Sequence, residues 1–257
     1  MSTKQHSATD LLMQCGRDVE RLFGKSPSAH CVVEDDGWLG LSGEKNMADF
    51  NMCFVARSAP ESLVERYVKE ISDRDLAAIM IVDEGAPALV DAAVARGWMA
   101  VGNVPVMVWE GGPTLRPSER FSIRQAKPDE LPAVCKLIAE AFSLDEDAVL
   151  RAAPREAFSE AEAWVVERDG ELLGTGTLIR TDDHVGVYAM ATPERNQRQG
   201  IGRALLETAM ADQLAQGAKT FTLEATEAGF HLYEQIGYQT VATPTVLVAG
   251  ESTQFPG

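Results

Sequence analysis

The sequence predicts an α/β (α+β) fold built as two tandem copies of one unit, and three observations carry the prediction. The order helix, strand, helix, strand over 62–109 recurs over 201–248. Gly97-Trp98 closes the second helix of the first run where Gly237-Tyr238 closes that of the second. Between the runs lies Gly111-Gly-Pro-Thr-Leu-Arg-Pro-Ser-Glu119, rich in the two residues that interrupt regular structure. The expected division is a first domain over 1–110, a linker over 111–120 and a second domain over 121–257. Each domain then has roughly 120 residues, an ordinary domain size.

Taken in order, Leu11, Leu12, Cys15, Val19 and Leu22 fall at helical spacing and predict a helix over 8–24, ended by Gly24. His30–Val33 and Asp49–Arg57 read as strands, with Asp36-Gly37 and Gly40–Gly43 marking turns between them. Leu63, Val64, Tyr67, Val68 and Ile71 form the apolar stripe of a helix over 62–71. A buried strand over 76–82, a helix over 87–96 and a long strand over 98–109 follow. The second half begins with an alternating strand over 121–126, a helix over 131–142 and a less regular helix from Glu146. Trp164–Arg168 and Leu172–Ile179 form a hairpin about Asp169-Gly170, a preferred tight-turn pair. His184–Ala191 is a strand, 201–215 a helix and 220–225 a strand; a short helix over 229–235 and a last strand over 238–248 complete the chain before a frayed tail at 251–257.

Composition excludes several classes. The chain has 257 residues, 45% hydrophobic and 24% charged, which is ordinary globular composition. No run reaches the roughly 18 apolar residues of a membrane span. The start, Met-Ser-Thr-Lys-Gln-His-Ser, has no apolar signal core, so the expected location is cytoplasmic. Cys15, Cys31, Cys53 and Cys135 are widely spaced and read as reduced thiols; no metal site is expected. A net charge of −16 argues against a nucleic-acid partner and is compatible with drawing in a cationic amine.

The most informative stretch is Ala189-Met-Ala-Thr-Pro-Glu-Arg-Asn-Gln-Arg-Gln-Gly-Ile-Gly-Arg-Ala-Leu-Leu206. A strand feeds a glycine-bearing loop that opens a helix. The first N–H groups of a helix lack partners within it and its dipole makes that end positive, so the arrangement is suited to phosphate. It is neither a Walker A loop, since no Gly-Lys-Ser/Thr follows, nor the Gly-x-Gly-x-x-Gly dinucleotide fingerprint. Gln197-x-x-Gly200-x-Gly202, taken with Pro193-Glu194, Arg203-Ala-Leu-Leu206 and Leu232-Tyr-Glu-Gln-Ile-Gly-Tyr238, resembles the acyl-coenzyme A loop and downstream signature of the GNAT superfamily of N-acetyltransferases. The likeness spans about 121–248. The loop from Pro193 to Gln197 is one residue longer than is common in the family, and the asparagine often found before the tyrosine is missing from Thr226-Glu-Ala-Gly229.

The resemblance implies a mixed, mostly antiparallel sheet flanked by helices, with acetyl-CoA as cosubstrate and direct acetyl transfer to a primary amine of a small molecule or peptide. It implies coenzyme contacts from Ala189, Met190 and Ala191 at the strand end, and from Gln197, Arg198, Gln199, Gly200, Ile201, Gly202 and Arg203 around the loop. Tyr233 is the expected general acid toward the leaving thiolate, because a phenol is protonated at neutral pH; Glu224 is the expected base toward the amine. Each has a plainer explanation as well: Tyr233 as a packed aromatic, Glu224 as a solvated strand-end charge. His184, His231, Tyr188 and Asp182-Asp183 read as packing, surface or turn residues. The first copy lacks the glycine loop and carries Ala93 where the second has Tyr233, so it is expected to be catalytically silent. The alternative function is a non-catalytic acyl-CoA sensor or scaffold. The acceptor is unreadable and oligomerisation is left open.

Overall fold

A computed structural model gives the fold and describes residues 7–250; the expected frayed tail at 251–257 lies outside them. In order the elements are α1 (Ala8–Phe23), β1 (His30–Glu34), β2 (Gly37–Leu41), β3 (Asn51–Val55), α2 (Glu61–Asp73), β4 (Ala78–Val82), α3 (Pro87–Val94), β5 (Met99–Asn103) and β6 (Val106–Trp109). Then come β7 (Ser122–Gln125), α4 (Leu131–Phe142), α5 (Glu146–Ala152), β8 (Glu162–Arg168), β9 (Glu171–Thr181), β10 (His184–Ala191), α6 (Ile201–Ala215), β11 (Thr220–Glu224), α7 (Glu227–Ile236), β12 (Gln239–Ala242) and β13 (Thr245–Ala249). They form two mixed sheets, mainly antiparallel and flanked by helices, with strand orders β1-β2-β3-β4-β13-β5 and β12-β6-β11-β10-β9-β8-β7.

The chain divides into two compact units, 1–106 with 240–257, and 107–239. The expected boundary at 110 falls just past β6, and the chain crosses a second time near its end, which no linear reading anticipates. Proline is the local reason. The stretch expected as one strand over 98–109 is two strands interrupted at Val104-Pro105, and that over 238–248 is two interrupted at Thr243-Pro244. Proline has no N–H for a ladder and restricts the residue before it. At the break Val104 N–H donates to Pro244 O at 3.1 Å, and Asn103 Nδ2 donates to Thr243 O at 3.0 Å.

In the first unit α1 opens on a reciprocal cap: Asp10 N–H donates to Ser7 Oγ at 3.1 Å and Ser7 N–H to Asp10 Oδ2 at 3.0 Å. Its predicted apolar face, from Leu11 to Leu22, is buried. The expected turn at Gly40–Gly43 is corrected, because Gly37–Leu41 is a buried strand. Gly40 serves packing there: the Trp38 indole folds over its bare Cα, where a Cβ would collide. The parallel pair β3 and β4 stays in register from Met52↔Ile79 to Val55↔Val82, and Asp83 N–H extends the ladder to Val55 O at 2.9 Å. Its end is tied by a charge cluster. The fully buried Asp83 carboxylate accepts from Arg57 Nε at 2.8 Å and Thr9 Oγ1 at 2.7 Å.

In the second unit every neighbouring pair from β7 to β10 is antiparallel and β10 with β11 is parallel. α6 packs Ile201, Leu205 and Met210 onto Val185, Val187, Phe221 and Leu223, which alternate along β10 and β11 and so share one face. The 111–120 segment is docked rather than loose: Leu115 packs on this core and Arg116 N–H donates to Glu207 Oε2 at 2.9 Å.

Burial pushes the Asp83 carboxyl up, but hydrogen bonds from Arg57 and Thr9 outweigh it and leave its pKa below the ordinary value. A depressed folded-state pKa adds stability above the unfolded value that is lost as pH falls through the folded one. Asp83→Asn is expected to cost about 2 kcal/mol at pH 7 and progressively less toward pH 3, measured by urea unfolding across that range.

Candidate active site

The site is built where β10 leaves β11. The two strands pair only over His184↔Thr220, Val185↔Phe221 and Gly186↔Thr222. Beyond that, Val187–Ala191 on one strand and Leu223-Glu224 on the other run apart, leaving peptide groups along the gap without ladder partners. Buried backbone polar groups need a partner, so a gap of this kind is suited to a ligand with amide groups of its own.

On its other edge β10 pairs with β9 through Tyr188↔Thr177, and then slips to Ala191↔Thr175. Ala189 and Met190 together stand opposite the single residue Gly176, a bulge with one extra residue, and Ala189 is at φ 48°. Two glycines on β9 accommodate it. A Cβ at Gly176 would lie 2.5 Å from Met190 Sδ, and one at Gly174 would lie 3.0 Å from both Ala191 O and Ile201 Cγ2. Gly174-Thr-Gly176 was not singled out from sequence; its signal is two glycines inside an otherwise apolar strand.

The loop after Ala191 is fixed from within. Buried Asn196 donates through Nδ2 to Leu173 O at 3.1 Å, and Gln197 Nε2 donates to Thr192 O at 3.1 Å. Arg198 stands at φ 60° and Gly200 at φ 80°, and Gly200 caps α6 without any side-chain bond. The first intrahelical bond is Ala204 N–H to Gly200 O at 3.0 Å, so the N–H groups of Ile201, Gly202 and Arg203 have none. The first turn holds no acidic residue to satisfy its dipole. Arg203 is paired with Glu207 at 3.0 Å and bonded to Gln235, whereas Arg198 is exposed. Leu232 of α7 packs in ordinary contact range of Gly202, which brings α7 against the same helix start.

Glu224 and Tyr233 lie on opposite faces of the sheet. Phe221, Leu223 and Ala225 belong to the core under α6, so alternation turns Thr222 and Glu224 to the other face. There Thr222 Oγ1 bonds buried His184 Nε2 at 2.7 Å. Glu224 is only partly exposed, and its Oε1 is buried with no hydrogen-bond partner; burial pushes its carboxyl up to about 7. Tyr233 lies on the α6 side, its ring against the bare Cα of Gly229 and 5.9 Å from that of Tyr238. Burial raises its phenol to about 12, so it is protonated at neutral pH. His231 is exposed, 3.2 Å from Glu234, and Asp182 is a turn residue at φ 55°. Among the described residues no group of three metal-ligating side chains converges, and no helix is long and apolar enough to cross a membrane.

Residues 159–240 match the family model described as acetyltransferase (GNAT) domain, which takes in the gap, the loop, α6, Glu224 and Tyr233. The matched stretch falls almost entirely within the second unit. No curated protein matches the chain. Among solved structures, a GCN5-related N-acetyltransferase from Kribbella flavida is 20% identical at a TM-score of 0.66, over 93% of this chain and 96% of its own. A conserved protein of unknown function from Staphylococcus epidermidis is 13% identical, with a TM-score of 0.63 over 89% and 96%. A tandem GNAT protein from the clavulanic acid pathway is 12% identical, with a TM-score of 0.62 over 94% and 93%. At these identities the structures show a shared fold, and the match to the acetyltransferase (GNAT) domain model supports acyl transfer as the general activity.

Gly176→Val is expected to force Met190 from its place and so to reshape the bulge. The substitution is predicted to cost about 1–3 kcal/mol in urea unfolding.

Proposed function

We propose that the protein transfers an acetyl group from acetyl-CoA directly to a primary amine, in the cytoplasm, with the chemistry confined to the second unit. The observation that carries this reading is the parting of β10 from β11 beside an uncapped helix start. The diphosphate is held by the N–H groups from Arg198 to Arg203, and the pantetheine arm pairs with the free strand edge at Ala189–Ala191. The thioester then sits in the gap, open to both faces of the sheet.

That placement assigns the two titratable groups. Glu224, on one face, takes the proton of the incoming ammonium; a carboxylate with a pKa of about 7 is a far better base than an ordinary one. The neutral amine attacks the thioester carbonyl, and amide groups at the bulge donate to the oxyanion. Tyr233, on the opposite face, gives its proton to the departing thiolate. The small-molecule or peptide amine approaches from the Glu224 side, and the acidic surface favours its cationic form at encounter. None of the four cysteines is in a disulfide, in keeping with a reducing compartment.

The test is a thiol-release screen with acetyl-CoA against an amine library. Amine-dependent release supports transfer; coenzyme binding without it would make the protein a sensor or scaffold. For an active amine, Tyr233→Phe is expected to lower kcat on the order of 10²-fold or more with coenzyme affinity nearly intact. Equal turnover would remove the phenol from the mechanism.

The pH dependence has a definite sign. Activity needs ionised Glu224, so kcat/KM should rise with pH and level off above about 7. Glu224→Gln should abolish that limb. A raised folded-state pKa also means the ionised carboxylate destabilises the fold above about 7 and not below the unfolded value. Glu224→Gln is therefore expected to stabilise the protein at pH 8, on the order of 2 kcal/mol, and to have little effect at pH 4 in the same unfolding assay.

A further inference from the structure

Beside the glycine loop lies a set of cations with no carboxylate partner. Arg120 Nη1 donates to Gln199 O at 3.4 Å, so its guanidinium stands against the loop. It also lies 5.1 Å from the centroid of the Phe121 ring, and Arg168 lies 6.0 Å from the same centroid. Phe121 is buried in the core under α6, so its ring is a fixed point that both guanidiniums approach. Arg198, exposed, is one residue before Gln199.

Among the described residues none of the three forms an ion pair, although Arg124, Arg195 and Arg203 of the same unit each hold a glutamate. The exposed carboxylates nearest in sequence, Glu119, Asp169 and Glu171, pair with none of them. In a chain with 39 acidic and 23 basic residues, unpaired arginines at one loop are out of proportion to its overall charge. Guanidinium forks match the oxygens of a phosphate better than any other side chain does.

We propose that Arg120, Arg168 and Arg198 form a subsite for a phosphomonoester at the nucleotide end of the acyl carrier, distinct from the peptide N–H groups that take its diphosphate. The inference rests on the coenzyme reading above and adds to it that the domain distinguishes coenzyme A from its 3′-dephospho form. A terminal phosphate dianion carries more charge than either phosphate of the diphosphate, and backbone dipoles alone do not neutralise it.

Calorimetry with coenzyme A and 3′-dephospho-coenzyme A tests this. Wild type is expected to bind coenzyme A at least about 10-fold more tightly at low salt, with the preference shrinking as salt is added. Arg168→Gln, at a residue with no hydrogen bond to the loop, should lose much of that preference while leaving affinity for the dephospho form unchanged; Arg120→Gln combined with it should lose the rest. Equal binding of the two coenzymes by wild type overturns the subsite and leaves the transferase reading intact. An Arg168→Gln variant weakened equally toward both would also overturn it, since the residue would then act through the fold. No heat with either coenzyme overturns the transferase reading and the subsite together.

Discussion

The second unit depends on two parallel strands that pair for three residues and then separate. Leaving a ladder costs hydrogen bonds, so separation has to be imposed by something stronger than the peptide groups it deprives. Here the imposition is steric and comes from the opposite edge. The bulge at Ala189-Met190 turns the last part of β10, and it exists because Gly174 and Gly176 leave space that any side chain would fill. Asn196 then anchors the following loop to the start of β9 through Leu173 O, so strand, bulge and helix start are held as one piece.

The first unit shows the same pair without the parting. β3 and β4 stay in register to their ends, and the Asp83–Arg57–Thr9 cluster ties off the point at which a gap would open. The two units share the run strand, helix, strand, helix and differ in whether the first two strands of it stay paired or part, and the acyl-carrier proposal concerns only the one with the gap. Nothing in the first unit replaces the glycine loop, since Ala56 leads through Pro60 into α2 with no uncapped glycine turn.

Electrostatics within the second unit divides by face and by depth. Burial raises the Glu224 carboxyl and keeps the Tyr233 phenol protonated at pH 7, the states that the proposed base and acid roles call for. The sheet lies between the two side chains, so in the proposed reaction the proton taken from the nucleophile and the proton given to the leaving group would stay on separate faces.

The sequence by itself determined the helices with strong apolar periodicity, α4, α6 and the stripe of α2, because helix formation there is a local match of spacing to a 3.6-residue turn. It also determined the strand–loop–helix at Gln197–Arg203, because glycine at positive φ and an uncapped first turn are local properties. Tertiary structure decided the rest. Gly37–Leu41 is a strand because it pairs with β1 and β3 on its two edges, and Gly40 there leaves room for the Trp38 ring, a matter of pairing and packing rather than of turn chemistry. The prolines at 105 and 244 signal a break, but not that β13 would join the first sheet, since strand pairing is a long-range choice. Glu224 could be named from its place at a strand end, and its face follows from alternation along β11; that its Oε1 is buried without a hydrogen-bond partner is decided by what the fold packs around it.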